Sequence, residues 1–122
     1  MLQVSTLTCT IANGQSLSNT AQPQSAPYAS LGDMALYGII MPSSWTAANL
    51  TLQLSSDGTN FSNVYDSGGS EFIIYADASR HILIPPAAFI CSRGIKVRSG
   101  TSGTPVNQGA ARDITLLVRY FA

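Results

Sequence analysis

Charge is what this chain has least of. Only 10% of its 122 residues are charged, against roughly a quarter in an average globular domain. Six acidic residues balance six basic ones, and Lys96 is the single lysine. Such a chain has no electrostatic footprint for a phosphate backbone, which excludes nucleic acid as an expected partner. It is not the composition of a charge-rich disordered tail either. No apolar run approaches the roughly 20 residues of a membrane-spanning helix, so no membrane partner is expected. No charged side chain precedes Asp33. The positive start of a secretory signal is therefore missing, and synthesis in a cytoplasm is expected. Cysteine is scarce: Cys9 and Cys91 alone make neither a disulfide framework nor a zinc pattern. Two buried thiols are expected, with a bridge left open because both sit in or near predicted strands.

What is present is neutral polarity. Ser, Thr, Asn and Gln together supply 38 of the 122 residues, and hydrophobic residues make up 45%. The length fits one domain, residues 1–122, with a core of its own. Zero net charge also removes the repulsion that keeps small domains apart, which points to a chain that works inside an assembly.

The dominant period is two, the period of a strand. Leu7, Cys9 and Ile11 alternate with Thr6, Thr8 and Thr10. Leu50, Leu52 and Leu54 alternate with Thr51, Gln53 and Ser55. Ile95 and Val97 alternate with Lys96 and Arg98, and Ile114, Leu116, Val118 and Tyr120 with Thr115, Leu117 and Arg119. Met34 to Met41 is apolar on both faces, as in a strand covered on both sides. Shorter candidate strands are Phe61 to Tyr65, Glu71 to Ala76 and Arg80 to Ile84. Asp57-Gly58 is a hairpin signal, Gly68-Gly69 marks a second turn, and Pro85-Pro86 ends the segment before it. Pro86 to Ile90 has room for one helical turn. Seven or eight short strands predict an all-β fold. The expected form is a two-layer antiparallel β-sandwich, jelly-roll-like, with an immunoglobulin-like Greek key as its rival. Two stretches read as irregular: residues 13–32, an uncharged loop or arm, and residues 99–111.

Chemistry-bearing patterns are thin. His81 is the only histidine and lies on a predicted strand, so a satisfied strand histidine outweighs a general base. A pairing of His81 with Cys91 has nothing in the sequence to bring it about. The six carboxylates are scattered, without the close pair that a glycosidase needs. Ser55 to Asn60 lacks the later acidic ligands of a calcium loop, and the glycines of residues 100–109 lack the lysine and following helix of a phosphate cradle. No enzymatic activity, cofactor or metal is expected. Arg93, Lys96, Arg98, Arg112 and Arg119 cluster late. They form either a surface for an acidic partner or, the simpler reading, solvated strand faces.

Two segments carry a resemblance. Met41 to Asp66, with its Met-Pro-x-x-Trp-x-Ala-Ala turn, alternating strand and Ser-x-Asp-Gly hairpin, resembles small structural proteins of tailed bacteriophages. Gly94 to Arg119, with Arg-Ser-Gly-Thr and Pro-Val-x-Gln before the last strand, resembles their C-terminal half. The resemblance implies a β-sandwich virion protein of the capsid decoration, or cement, type. It would bind the outer surface of the head as a homotrimer and bridge neighbouring copies of the major capsid protein. Trp45, Asp57, Gly58, Arg98, Gly100 and Gln108 fall on the pattern as architectural positions. Tyr28, Leu31, Trp45, Arg98 and Gln108 are the candidate partner contacts. A tail, baseplate or head-fibre component is the alternative virion role. A carbohydrate-binding module, using Trp45, Tyr28, Tyr37 or Tyr65, is the alternative outside it.

Overall fold

A computed structural model describes residues 3–20, 34–85 and 93–120. Tyr28, Leu31, Cys91, the expected turn at Pro86 to Ile90 and the larger part of the 13–32 arm lie outside the described residues. The chain is all-β, with strands β1 (Gln3–Ile11), β2 (Met34–Ile40), β3 (Leu50–Ser55), β4 (Ser62–Asn63), β5 (His81–Leu83), β6 (Gly94–Ser99) and β7 (Arg112–Tyr120). They form two antiparallel sheets, one ordered β1-β7-β2-β5 and the other β4-β3-β6.

The alternation in the sequence decides which face of each strand turns inward. From the larger sheet, Cys9, Ile11, Leu36, Ile39, Ile114, Leu116 and Val118 are buried. From the smaller, Leu50, Leu52, Ile95 and Val97 meet them in one core. Each fully buried Leu, Ile or Val contributes about 1.5–3 kcal/mol through the water it sheds. Strict alternation would not place both Leu36 and Ile39 inward. Pairing of β2 with β7 shifts register between Leu36 and Gly38, and this irregularity resets the parity. The double coverage expected for Met34 to Met41 holds for most of the strand, but Ile40 is 39% exposed on the outer face.

Connections follow the predicted turns. Asp57-Gly58 closes the β3–β4 hairpin, with Leu54 opposite Ser62. Residues 66–70 form the second turn, in which the Asp66 amide donates to the Ser70 carbonyl, flanked by a bridge between Tyr65 and Glu71. The candidate strand Glu71 to Ala76 is reduced to isolated bridges at Glu71 and Ile74. Near the start of the predicted arm, Leu17 bridges Arg98, the Ser99 amide donates to the Ser16 carbonyl, and the Ser18 amide donates to the Val97 carbonyl. This short segment lies along the free side of β6.

Candidate interaction surface

The two outer faces of the sandwich differ. That of the smaller sheet carries Thr51 and Gln53 on β3, Lys96 and Arg98 on β6, and Asn63 on β4. Thr51 lies opposite Arg98, and Gln53 opposite both Lys96 and Asn63. Arg98 is 8% exposed. Its guanidinium donates to Asn63 Oδ1 at 2.7 Å, to Thr51 Oγ1 at 3.4 Å and to Glu71 Oε2 at 3.4 Å. Glu71 also accepts from the Ser102 amide, at 3.1 and 3.3 Å. Both chains of the ion pair are nearly covered, at 9% and 12% side-chain exposure. The covering loop is held by Gly100, whose φ of +90° suits glycine, and a Cβ there would stand 2.5 Å from the Thr104 carbonyl oxygen. Lys96 lies over the Phe61 ring, 4.6 Å from its centroid.

Gln108 is the second sealed junction, 1% exposed. Its Oε1 accepts from the Thr46 amide at 2.8 Å and from Arg112 Nε at 3.2 Å. Its Nε2 donates to the Thr46 carbonyl at 3.0 Å and to Ser99 Oγ at 2.7 Å. Its backbone bonds to Gly14 and Gln15. One residue therefore ties together the turn around Trp45, the end of β6 and the start of β7 through its side chain, and the start of the arm through its backbone. Trp45 is half-buried, packs on the core and donates from Nε1 to the Ala48 carbonyl at 3.0 Å.

These positions bear directly on the predicted contacts. Arg98 and Gln108 spend their polar groups inside the chain and keep almost no surface for a partner; their observed role is architectural. Of the two readings of the basic cluster, neither describes Arg98: its face is roofed by Glu71 and the 100–105 loop. Tyr28 and Leu31 lie outside the described residues. Of the aromatics named for sugar binding, Trp45 is half-buried and Tyr37 lies under Arg119, 4.8 Å from guanidinium carbon to ring centroid. Tyr65 is 54% exposed.

The hairpin at Asp57 is equally self-contained. Asp57 Oδ1 accepts from the Thr59 and Asn60 amides and from Ser55 Oγ, and Oδ2 accepts from Asn60 Nδ2, each at 2.8 Å. The Asn60 and Thr59 amides, then the two side-chain donors, hold this carboxyl well below its ordinary 3.8. Three of the four donors converge on Oδ1, and Oδ2 accepts one. His81 is exposed on β5, and among the described residues no group of three His, Cys, Asp or Glu is placed to hold a metal.

The outer face of the larger sheet is open by comparison. Thr6, Leu117, Gly38 and Leu83 form one row across all four strands, and Thr8, Thr115, Ile40 and His81 the next. Leu83 is 82% exposed and Ile40 39%. Around the β5 edge, Phe72 to Tyr75 and Ile82 to Pro85 line a shallow apolar groove of about 260 Å³, with Tyr75 70% exposed at its rim. Sequence alternation flagged Leu117 and His81 on their strands. The same alternation puts Leu83 on the face of His81, two residues along β5, whereas nothing local marks Tyr75, which lies outside the strands.

Compared with protein-family models, curated proteins and solved structures, the chain finds no match.

Proposed function

We propose that this chain is a structural protein of a tailed-bacteriophage virion, a capsid decoration protein that seats on the outer surface of the head and joins neighbouring copies of the major capsid protein. The observation that carries the reading is the exposed apolar cluster of Leu83, Ile40 and Tyr75 beside a Thr-rich sheet face on which Asp113 and Arg119 are the charged residues. Clusters of that kind on a small soluble domain are characteristic of contact surfaces. The charges, in contrast, are few, and Arg98, Glu71, Lys96, Arg119 and Arg112 already have partners within the chain. A contact made by such a face is weakly sensitive to salt.

The strand order supports a jelly-roll reading of the sandwich. Successive segments pass from β1 to the Leu17 bridge beside β6, back to β2, across to β3 and β4, and then alternate through β5, β6 and β7. In that reading, residues 16–18 stand where the second of eight strands would run.

Electron cryomicroscopy of heads assembled with and without the chain tests the proposal. Density of matching size on the outer shell, retained in high salt, is the expected result. Unchanged shells would overturn it, and density on the tail or baseplate would move the chain to the alternative virion role. Binding on a glycan array would favour a carbohydrate module instead.

A further inference from the structure

We propose that the free edge of β1 pairs with the same edge of a second copy, joining two larger sheets into one across a two-fold axis. This rests on the edge alone and not on the virion reading.

Antiparallel strands direct the backbone groups of alternate residues to opposite sides. On β1 the side can be assigned. The Thr10 amide donates to Asn19 Oδ1 at 3.0 Å, and the Thr10 carbonyl accepts from the Asn19 amide at 3.1 Å. Thr10 therefore faces away from β7, and so do Thr8, Thr6 and Val4. Asn19 blunts the Thr10 end. Among the described residues, nothing pairs with the outward N–H and C=O groups of Thr6 and Thr8, and both threonines are exposed.

Edges of this kind invite pairing, and soluble proteins blunt them with charge, proline, bulges or brevity. The other edge strands here are blunted. β5 has three residues between Arg80 and Pro85, β4 has two, and β6 takes the bridge to Leu17. β1 has nine residues, none charged and none proline, and pairs with β7 in unbroken register.

A second copy fits this edge because its accessible stretch is its own complement. With Asn19 closing the Thr10 end, the outward groups left among the described residues are those of Val4, Thr6 and Thr8, which centre on Thr6. Antiparallel pairing then sets Thr6 against Thr6, and Val4 against Thr8. Like charges stay apart. Arg119 lies beside Val4, so the two Arg119 positions are separated by three strand spacings and four residues, about 20 Å by strand geometry, well beyond the Debye length at physiological salt. The paired stretch is much smaller than the roughly 800 Å² per partner of a stable interface, so the association is reversible and depends on concentration. Its two-fold symmetry also differs from that of the trimer expected of a decoration protein.

The test is sedimentation equilibrium of the full chain over a wide concentration range, with amide exchange followed by NMR. The expected mass rises toward two chains, and the Thr6 and Thr8 amides slow by roughly tenfold or more once paired. Thr8→Pro removes an outward donor without touching a β7 bond, so this variant should remain a single chain with its melting transition intact. Thr6→Lys adds charge to the same edge and decides the matter if Thr8→Pro does not fold. A chain that stays single at every concentration would overturn the proposal. So would a three-chain mass, association that leaves Thr6 and Thr8 exchanging as in dilute solution, or variants that associate like the parent.

Discussion

The outer faces of the two sheets differ in their residues and in what those residues are bonded to. On the three-stranded side, the polar groups of Arg98, Glu71, Thr51 and Asn63 satisfy one another beneath the 100–105 loop. On the four-stranded side, threonines lie open beside the apolar cluster of Ile40, Leu83 and Tyr75, and Leu83 projects with most of its surface in water. The lesson is that polarity by itself does not mark the face that meets a partner. A polar group already bonded within the chain has little left to offer, whereas an exposed Leu or Tyr gains by being covered. The closed side should therefore govern stability and the open side association.

The severest way to break that division is Arg98→Ala. It leaves the Glu71 carboxylate nearly covered and without its cation, an arrangement that costs about 3–5 kcal/mol when the pair is buried. Urea denaturation should register a loss of that size. The double variant Arg98→Met with Glu71→Leu should lose less than Arg98→Ala, because no stranded charge remains. If Arg98→Ala is neutral, the closed face is not what holds this side together. Gln108→Ala comes next. It strips partners from the Thr46 amide, Ser99 Oγ and Arg112, and a loss of about 2–3 kcal/mol is expected from the groups left unpaired.

Ser18→Ala probes the margin of the closed side. Ser18 Oγ accepts from the Val97 amide at 2.9 Å and donates to the Asn19 carbonyl at 2.7 Å, so a side-chain oxygen stands where a strand carbonyl would continue the ladder. Losing it should cost about 1–2 kcal/mol and speed exchange of the Val97 amide, which hydrogen-exchange NMR would detect.

Much of this arrangement could be read from the residues, and the exceptions have physical causes. The strands around Leu7, Leu52, Val97 and Leu116 follow from alternation, and the hairpin from Asp57-Gly58, because both signals are local. The register shift in β2 is invisible to periodicity, since an apolar run such as Met34 to Met41 looks the same in either parity. Arg98 alternates with the core as an exposed residue would. Its burial depends on Glu71 and Ser102, distant in sequence and brought over it by the fold. Gln108 sits in a Gly- and Ser-rich run that reads as a loose loop. The loop is irregular, yet it is fastened by the Gln108 side chain and by the amides of Gly100, Ser102 and Val106, which donate to Asn49, Glu71 and Ser99. Glu71 was one carboxylate among six, and nothing at its own position announces the ion pair.

Asp57 is a third case, a charge that is exposed and still engaged. Its carboxyl is held below the ordinary 3.8, so the ionised form is favoured by folding. The hairpin's share of stability is then complete above the ordinary aspartate range and fades as pH falls through the lowered folded value. An NMR titration should place the Asp57 midpoint clearly below that of an unstructured aspartate, and Asp57→Ala should remove this component of the acid sensitivity. A midpoint at the ordinary value would mean that the four donors do not hold the carboxylate in solution.

The smallest effect on stability is expected at Leu83, and this is where the two faces are most cleanly separated. Its side chain is 82% exposed on β5, so Leu83→Ser removes little buried surface and should change the unfolding free energy by no more than about 0.5 kcal/mol. If the open face is the contact with a capsid, the same substitution should weaken attachment to heads while leaving the melting transition unmoved. Arg98→Met with Glu71→Leu should do the reverse, shifting the transition without loosening attachment by the folded fraction. A head-binding assay run beside a thermal melt on both variants checks the pair. If Leu83→Ser binds as the parent does and the Arg98 variant detaches while still folded, the contact lies on the three-stranded side and the two faces exchange roles.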